Sequence, residues 1–122
     1  MAQRELDGIR EERIDNEVVV DAYGEEEKAL GWYYYLEDKC AFPFLARCLT
    51  ERAISPLLPG DEVEVVRMAP LEESAREMFV SIRWKPRRLA VPLSQLDAVA
   101  SDEETMEAVE DWRYWVERGY HF

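Results

Sequence analysis

The clearest strand signal in the chain is Met78-Phe79-Val80-Ser81-Ile82-Arg83-Trp84. Large apolar residues stand at every second position of this run, and that spacing sends them to one face of a β-strand. The turn sequence Lys85-Pro86-Arg87-Arg88 follows and leads into a further apolar stretch over 89–93. Two apolar runs joined by a short turn predict a pair of antiparallel strands.

The strand pattern extends upstream of this pair. An extended stretch begins at Phe42-Pro43-Phe44 and continues through Cys48, and residues 61–66 alternate between charged and apolar side chains. Together these runs predict four or five short strands over 42–96. Such a set forms a small, strongly bent antiparallel sheet or an SH3-like barrel.

Helices are predicted on both sides of this β-rich region. The spacing of apolar residues predicts a helix over 14–22, and Gly24 separates it from a second helix that ends near Asp38. After the strands, Ser101 and Glu104 form a capping box that opens a helix over 101–119. The expected fold class is therefore α+β.

The whole chain, 1–122, is predicted to form one domain, since its length is typical of one. Residues 14–39 are its helical part, whereas the charge-rich residues 1–13 could fray. Acidic residues also recur along the last helix, and such a stripe is typical of the wet face of an amphipathic helix. Its members are Glu103, Glu107, Glu110, Asp111 and Glu117.

The composition is strongly acidic. Asp and Glu number 27 against 15 Lys and Arg, which gives a formal net charge of −12. Such a surface attracts cations and argues against binding to nucleic acid or to an anionic membrane. We also expect a soluble, cytoplasmic protein with reduced thiols at Cys40 and Cys48, because no apolar run approaches ~20 residues and the N-terminus is polar.

The sequence gives little support for catalysis. His121 is the only histidine, so a nucleophile–histidine pair or a zinc site would have to be assembled around the end of the chain. The chain also lacks a phosphate-binding loop. Many carboxylate pairs are conceivable, but none is marked out, and we predict that the protein is not an enzyme.

A first candidate cation site lies at the end of the second predicted helix. Glu37 and Asp38 stand there against the negative end of the helix dipole, a position that favours Lys or Arg. Carboxylates and unpaired helix carbonyls together form an oxygen-rich site of the kind that Ca²⁺ prefers. No EF-hand loop is present in the sequence. The alternative is that Lys39 and water simply absorb the charge.

A second candidate is the loop over 69–77, in which Glu72, Glu73 and Glu77 could meet. The alternative is a solvated polar loop that protects the neighbouring strand edges from aggregation.

Several motifs resemble the small acidic calcium-binding family first known from cyanobacteria, the CcbP type. The resemblance covers about residues 14–122, and the run Trp32-Tyr33-Tyr34-Tyr35 is its most specific part. It implies Ca²⁺ binding without EF-hands, a role in calcium buffering or signalling, and a ligand role for Asp38. The other matching stretches are Val19–Gly24, Phe42–Phe44, Met68–Pro70, Met78–Val80, Ile82–Trp84, Leu89–Leu96 and Val109–Trp112.

The leading hypothesis is a calcium-binding protein with one or two carboxylate sites. Asp38 and Glu37 anchor the first, and Glu72, Glu73 and Glu77 add ligands or form a second, weaker site. The alternative is an acidic interaction module that binds a basic protein partner or mimics DNA.

Overall fold

A computed structural model describes residues 5–122 and shows three α-helices with one five-stranded sheet. The predicted α+β fold class is confirmed. In chain order the elements are α1 (Gly8–Glu17), α2 (Glu25–Lys39), β1 (Phe44–Cys48), β2 (Glu62–Met68), a 3₁₀ helix (Leu71–Ser74), β3 (Phe79–Trp84), β4 (Arg87–Pro92), a 3₁₀ helix (Leu93–Gln95), β5 (Leu96–Val99) and α3 (Glu103–Glu117).

The sheet is antiparallel throughout, in the order β4-β3-β2-β1-β5. The first four strands form a meander, and β5 returns to pair with β1, with Leu45 opposite Val99. Met78, Val80 and Ile82 are buried as the period-two spacing predicts, whereas Trp84, at the end of the same run, is 39% exposed. In the part of the chain that the structure describes, β4 and β5 do not pair, so the sheet is open and these strands are its edges.

Two helix starts differ from the sequence prediction. The N-cap of α3 is Asp102, not Ser101, because Asp102 Oδ1 accepts the N–H of Thr105 at 2.8 Å. The first helix begins and ends earlier than the spacing over 14–22 predicts. Asp7 caps it by accepting the N–H of Arg10 at 3.0 Å.

The N-terminal segment is joined to the rest of the fold through α1. Residues 1–4 of the segment that could fray lie outside the described residues. Arg13, on α1, bonds Asp111 on α3 at 2.9 and 2.7 Å. Because this ion pair joins helices about one hundred positions apart, it fixes α1 against α3.

Aromatic rings form much of the interface between α2 and α3. Trp32 and Trp112 are fully buried and meet edge to face, with ring centroids 5.0 Å apart. Trp115 stacks on Trp112 at 5.6 Å. Burial of these rings holds α2 in a fixed position.

The turn before α2 also approaches this helix closely. A Cβ at Gly31 would lie 2.3 Å from the carbonyl oxygen of Val18, so only glycine fits at this position.

Cys40 and Cys48 are free thiols, and both are buried. Burial raises the pKa of Cys40 to about 12, so this thiol stays protonated at neutral pH.

Among residues 5–122, none of the helices combines the length and the apolar character needed to cross a bilayer.

Candidate metal centre

The C-terminal turn of α2 carries Glu37 and Asp38, and both side chains are exposed. The helix stops here because Cys40 adopts an extended conformation, although its N–H still donates to the Leu36 carbonyl at 3.0 Å. The next N–H, that of Ala41, donates instead to the Thr105 hydroxyl at 2.8 Å. The carbonyl of Glu37 therefore lacks its usual helical donor, and oxygen atoms gather at this helix end.

Tyr33 links this helix end to the loop after β2. Its hydroxyl donates to the Ala69 carbonyl at 2.7 Å. Burial raises the pKa of Tyr33, and the negative charges of Glu37 and Glu72 raise it further. The Tyr33 hydroxyl is thus within electrostatic range of both carboxylates, which belong to different elements. Glu37 lines a pocket beside Tyr33, whereas Glu72 and Leu30 line a groove at the other end of α2.

A pocket of about 370 Å³ lies beside Tyr33. Glu37 and Arg67 line it together with the apolar residues Phe42, Met68 and Pro70. Only one predicted ligand reaches this pocket, and a cation there would also face the Arg67 guanidinium. The pocket is therefore a poorer cation site than the open helix end.

The remaining predicted ligands lie apart from the helix end. Glu73 is exposed on the 3₁₀ helix that also carries Glu72. Glu77 is partly buried and forms a two-bond ion pair with Arg52, at 3.1 and 2.9 Å. Its carboxylate is neutralised within the fold, so it does not present a free charge to solvent.

Four predicted ligands carry no ion pair with any cation of residues 5–122: Glu37, Asp38, Glu72 and Glu73. Within the same range, no three carboxylate, imidazole or thiol groups cluster in a metal-binding arrangement. Ca²⁺ takes about six to eight oxygens and accepts carbonyls and water among them. The donors at the end of α2 fit Ca²⁺ in their chemistry, but side chains alone do not complete the shell.

The acidic stripe of α3 predicts that Asp111 lies on the solvent-exposed face of the helix. This prediction is wrong, because the Asp111 side chain is fully buried. It accepts hydrogen bonds from Arg10, Arg13 and Tyr35, the last at 2.7 Å. Burial raises the pKa of Tyr35, and the bond to Asp111 raises it further. Asp111 is saturated by donors, which makes it a structural carboxylate and not a metal ligand.

The sequence does hold a signal for this burial. Asp111 lies three positions after Ala108 and four before Trp115, on the apolar line of α3. A carboxylate in such a line requires basic partners, and two arginines on α1 supply them.

Comparison with known proteins relates the chain to calcium binding. A CcbP-type family model, described as calcium binding, matches residues 12–116. The crystal structure of CcbP from Anabaena is 40% identical with a TM-score of 0.87. A calcium-binding protein in its calcium-binding form is 39% identical with a TM-score of 0.86. Each of these two comparisons covers 100% of both chains. No curated protein matches the chain.

Proposed function

Because the chain belongs to the CcbP family of calcium-binding proteins, we propose that it binds Ca²⁺ at one or two carboxylate sites outside any EF-hand. The first site is built on Glu37 and Asp38. One observation carries this assignment. These exposed carboxylates form no ion pair within residues 5–122, and they stand at a helix end where the Ala41 N–H donates to Thr105 instead of to the Glu37 carbonyl.

Electrostatics favours a cation at this point of the fold. The last carbonyls of a helix carry a partial negative charge, and two carboxylates add to it. Lys39 is the basic residue of the last turn, so the local balance stays negative. A divalent ion would relieve the repulsion between these groups, and carbonyls and water would supply its remaining oxygens.

Glu72 and Glu73 are the next candidates. Glu72 lines a groove at the other end of α2, and Glu73 follows it on the same 3₁₀ helix. Both side chains are exposed, so we assign them to a second, weaker site. Glu77 would join either site only by leaving Arg52, and we therefore rank it last.

A buffering role suits this fold better than a large conformational switch. Buried rings hold α2 against α3, and the Tyr33–Ala69 hydrogen bond holds α2 to the loop after β2. Ion binding at the end of α2 would then order nearby side chains without opening the core. The two free thiols fit a reducing, cytoplasmic setting.

Calorimetric titration of chelator-treated protein with Ca²⁺ tests the proposal. We expect Asp38→Asn to weaken binding by about tenfold, because one charged ligand is lost. The matched control is Asp15→Asn, which removes an exposed charge from α1 and should leave the affinity unchanged.

The two variants also separate a ligand from a structural charge. Without Ca²⁺, Asp38→Asn should melt slightly higher than the parent, because it removes a carboxylate from the negative end of a helix. Equal affinity in the parent and Asp38→Asn would exclude this site. No heat and no thermal shift at millimolar Ca²⁺ would instead favour the acidic interaction module, with a basic protein as its partner.

A further inference from the structure

A second concave surface lies at the other end of α2. This helix and the 3₁₀ helix Leu71–Ser74 enclose a groove of about 850 Å³. Its apolar lining includes Ala29, Leu30 and Leu71, and Leu71 is 36% exposed. Apolar grooves of this size are typical of binding sites for small molecules or a few side chains.

Three carboxylates line the same groove: Glu25, Glu26 and Glu72. All three are exposed, and within the part of the chain that the structure describes no lysine or arginine lines the groove or pairs with them. The first two also stabilise the N-terminus of α2 through its dipole. That role does not explain Glu72, which reaches the groove from another element.

The wall that carries Leu71 and Glu72 is fixed in place. The Ser74 hydroxyl accepts the N–H of Phe79 at 3.1 Å, and the Glu73 N–H donates to the Pro70 carbonyl at 2.9 Å. Tyr33 holds the start of the same segment through Ala69. A groove formed before its ligand arrives loses little entropy on binding.

We propose that this groove docks a short basic segment of a partner protein that carries one or two large apolar side chains. An apolar side chain would pack against Leu30 and Leu71, while lysine or arginine residues on either side would pair with the three carboxylates. Charge complementarity selects this occupant, since an acidic segment would be repelled and a purely apolar one would leave the carboxylates unpartnered.

Ca²⁺ and the basic segment should compete for Glu72, an expectation that rests on the proposed function. Glu72 lines the groove and is also a candidate Ca²⁺ ligand. An ion held by Glu72 removes one carboxylate from the groove, so Ca²⁺ should weaken binding of the basic segment. By linkage, the segment must weaken Ca²⁺ binding by the same factor.

Fluorescence anisotropy with a labelled, amidated octapeptide of alternating lysine and leucine pairs tests the groove, in chelator and at fixed ionic strength. We expect Leu71→Ser, which leaves the net charge unchanged, to weaken binding by about fivefold. This loss corresponds to part of the free energy gained when one leucine side chain is buried. Glu26→Gln should weaken it by a similar factor. The control Glu51→Gln removes an exposed charge outside the groove and should have no effect.

General attraction to an acidic protein would give a different pattern. Equal losses in Glu26→Gln and Glu51→Gln, with Leu71→Ser unchanged, would overturn the groove as the docking site. Unchanged peptide affinity in saturating Ca²⁺ would overturn the shared role of Glu72. Because the peptide titration is carried out in chelator, failure of the calcium site leaves the test of the groove intact.

Discussion

At the scale of single residues, surroundings divide the acidic side chains into two kinds. Asp111 is buried and bonded to two arginines and a tyrosine, whereas Glu37 and Asp38 are exposed and carry no ion pair within residues 5–122. The first kind contributes to stability and has no free oxygen for an ion. The second kind contributes little to packing and keeps its charge available.

Burial therefore predicts unequal losses of stability for substitutions at the two acidic partners of Arg13, Asp111 and Glu107. Asp111→Asn should lower the free energy of unfolding by about 3 kcal/mol, because it leaves Arg10 and Arg13 without their buried partner. Urea denaturation monitored by tryptophan fluorescence measures this loss. The control is Glu107→Gln, which removes the weaker and more exposed partner of Arg13 at 3.6 Å and should change stability by less than about 0.5 kcal/mol. Equal losses would show that Asp111 has no special role.

The residue scale also shows which part of the candidate site the sequence could reveal. The sequence could identify Glu37 and Asp38, because the end of a helix can be predicted from local spacing and composition. The sequence could not reveal the pairing of Glu77 with Arg52, since these residues are 25 positions apart and lie in two different loops that meet only in the folded protein. Local pattern identifies where charges cluster along the chain, but tertiary contacts decide which charges remain free.

At the scale of elements, periodicity located the strands better than the helix ends. The alternating run over 78–84 predicts the strand that the structure shows as β3. No pattern in the sequence predicts β5 as a separate strand. With four residues, β5 has little pattern of its own, and its pairing with β1 defines it. The early start of α1 follows from Asp7, whose capping role depends on the local backbone and not on apolar spacing.

The N-terminus of α3 offers a direct test at this scale. Asp102 accepts the N–H of Thr105, and this bond keeps one of the first N–H groups of the helix satisfied. Asp102→Ala should therefore lower the melting temperature by about 3 to 6 °C. Ser101→Ala is the matched control one position earlier, and we expect no change from it. A larger effect of Ser101→Ala, measured by thermal unfolding under identical conditions, would restore the capping box that the sequence suggested.

At the scale of the whole molecule, a net charge of −12 acts against the compact state. Any salt relieves part of this repulsion by screening, and a bound ion relieves it at one place. These two effects can be separated because screening depends on ionic strength alone. Binding instead adds a stabilisation that grows with the ratio of free ion to dissociation constant.

We therefore expect CaCl₂ to raise the melting temperature more than NaCl does at the same ionic strength. The excess should continue to grow with Ca²⁺ concentration, since at about 100 times the dissociation constant a single site contributes about 2.7 kcal/mol. MgCl₂ at equal concentration distinguishes a site with calcium geometry from general attraction of divalent ions, because Mg²⁺ demands a tighter octahedral shell. Asp38→Asn should lose most of the excess while keeping the response to NaCl. If the curves for the three salts coincide at matched ionic strength, the charge of this protein acts only as a diffuse field, and Glu37 and Asp38 do not form a site.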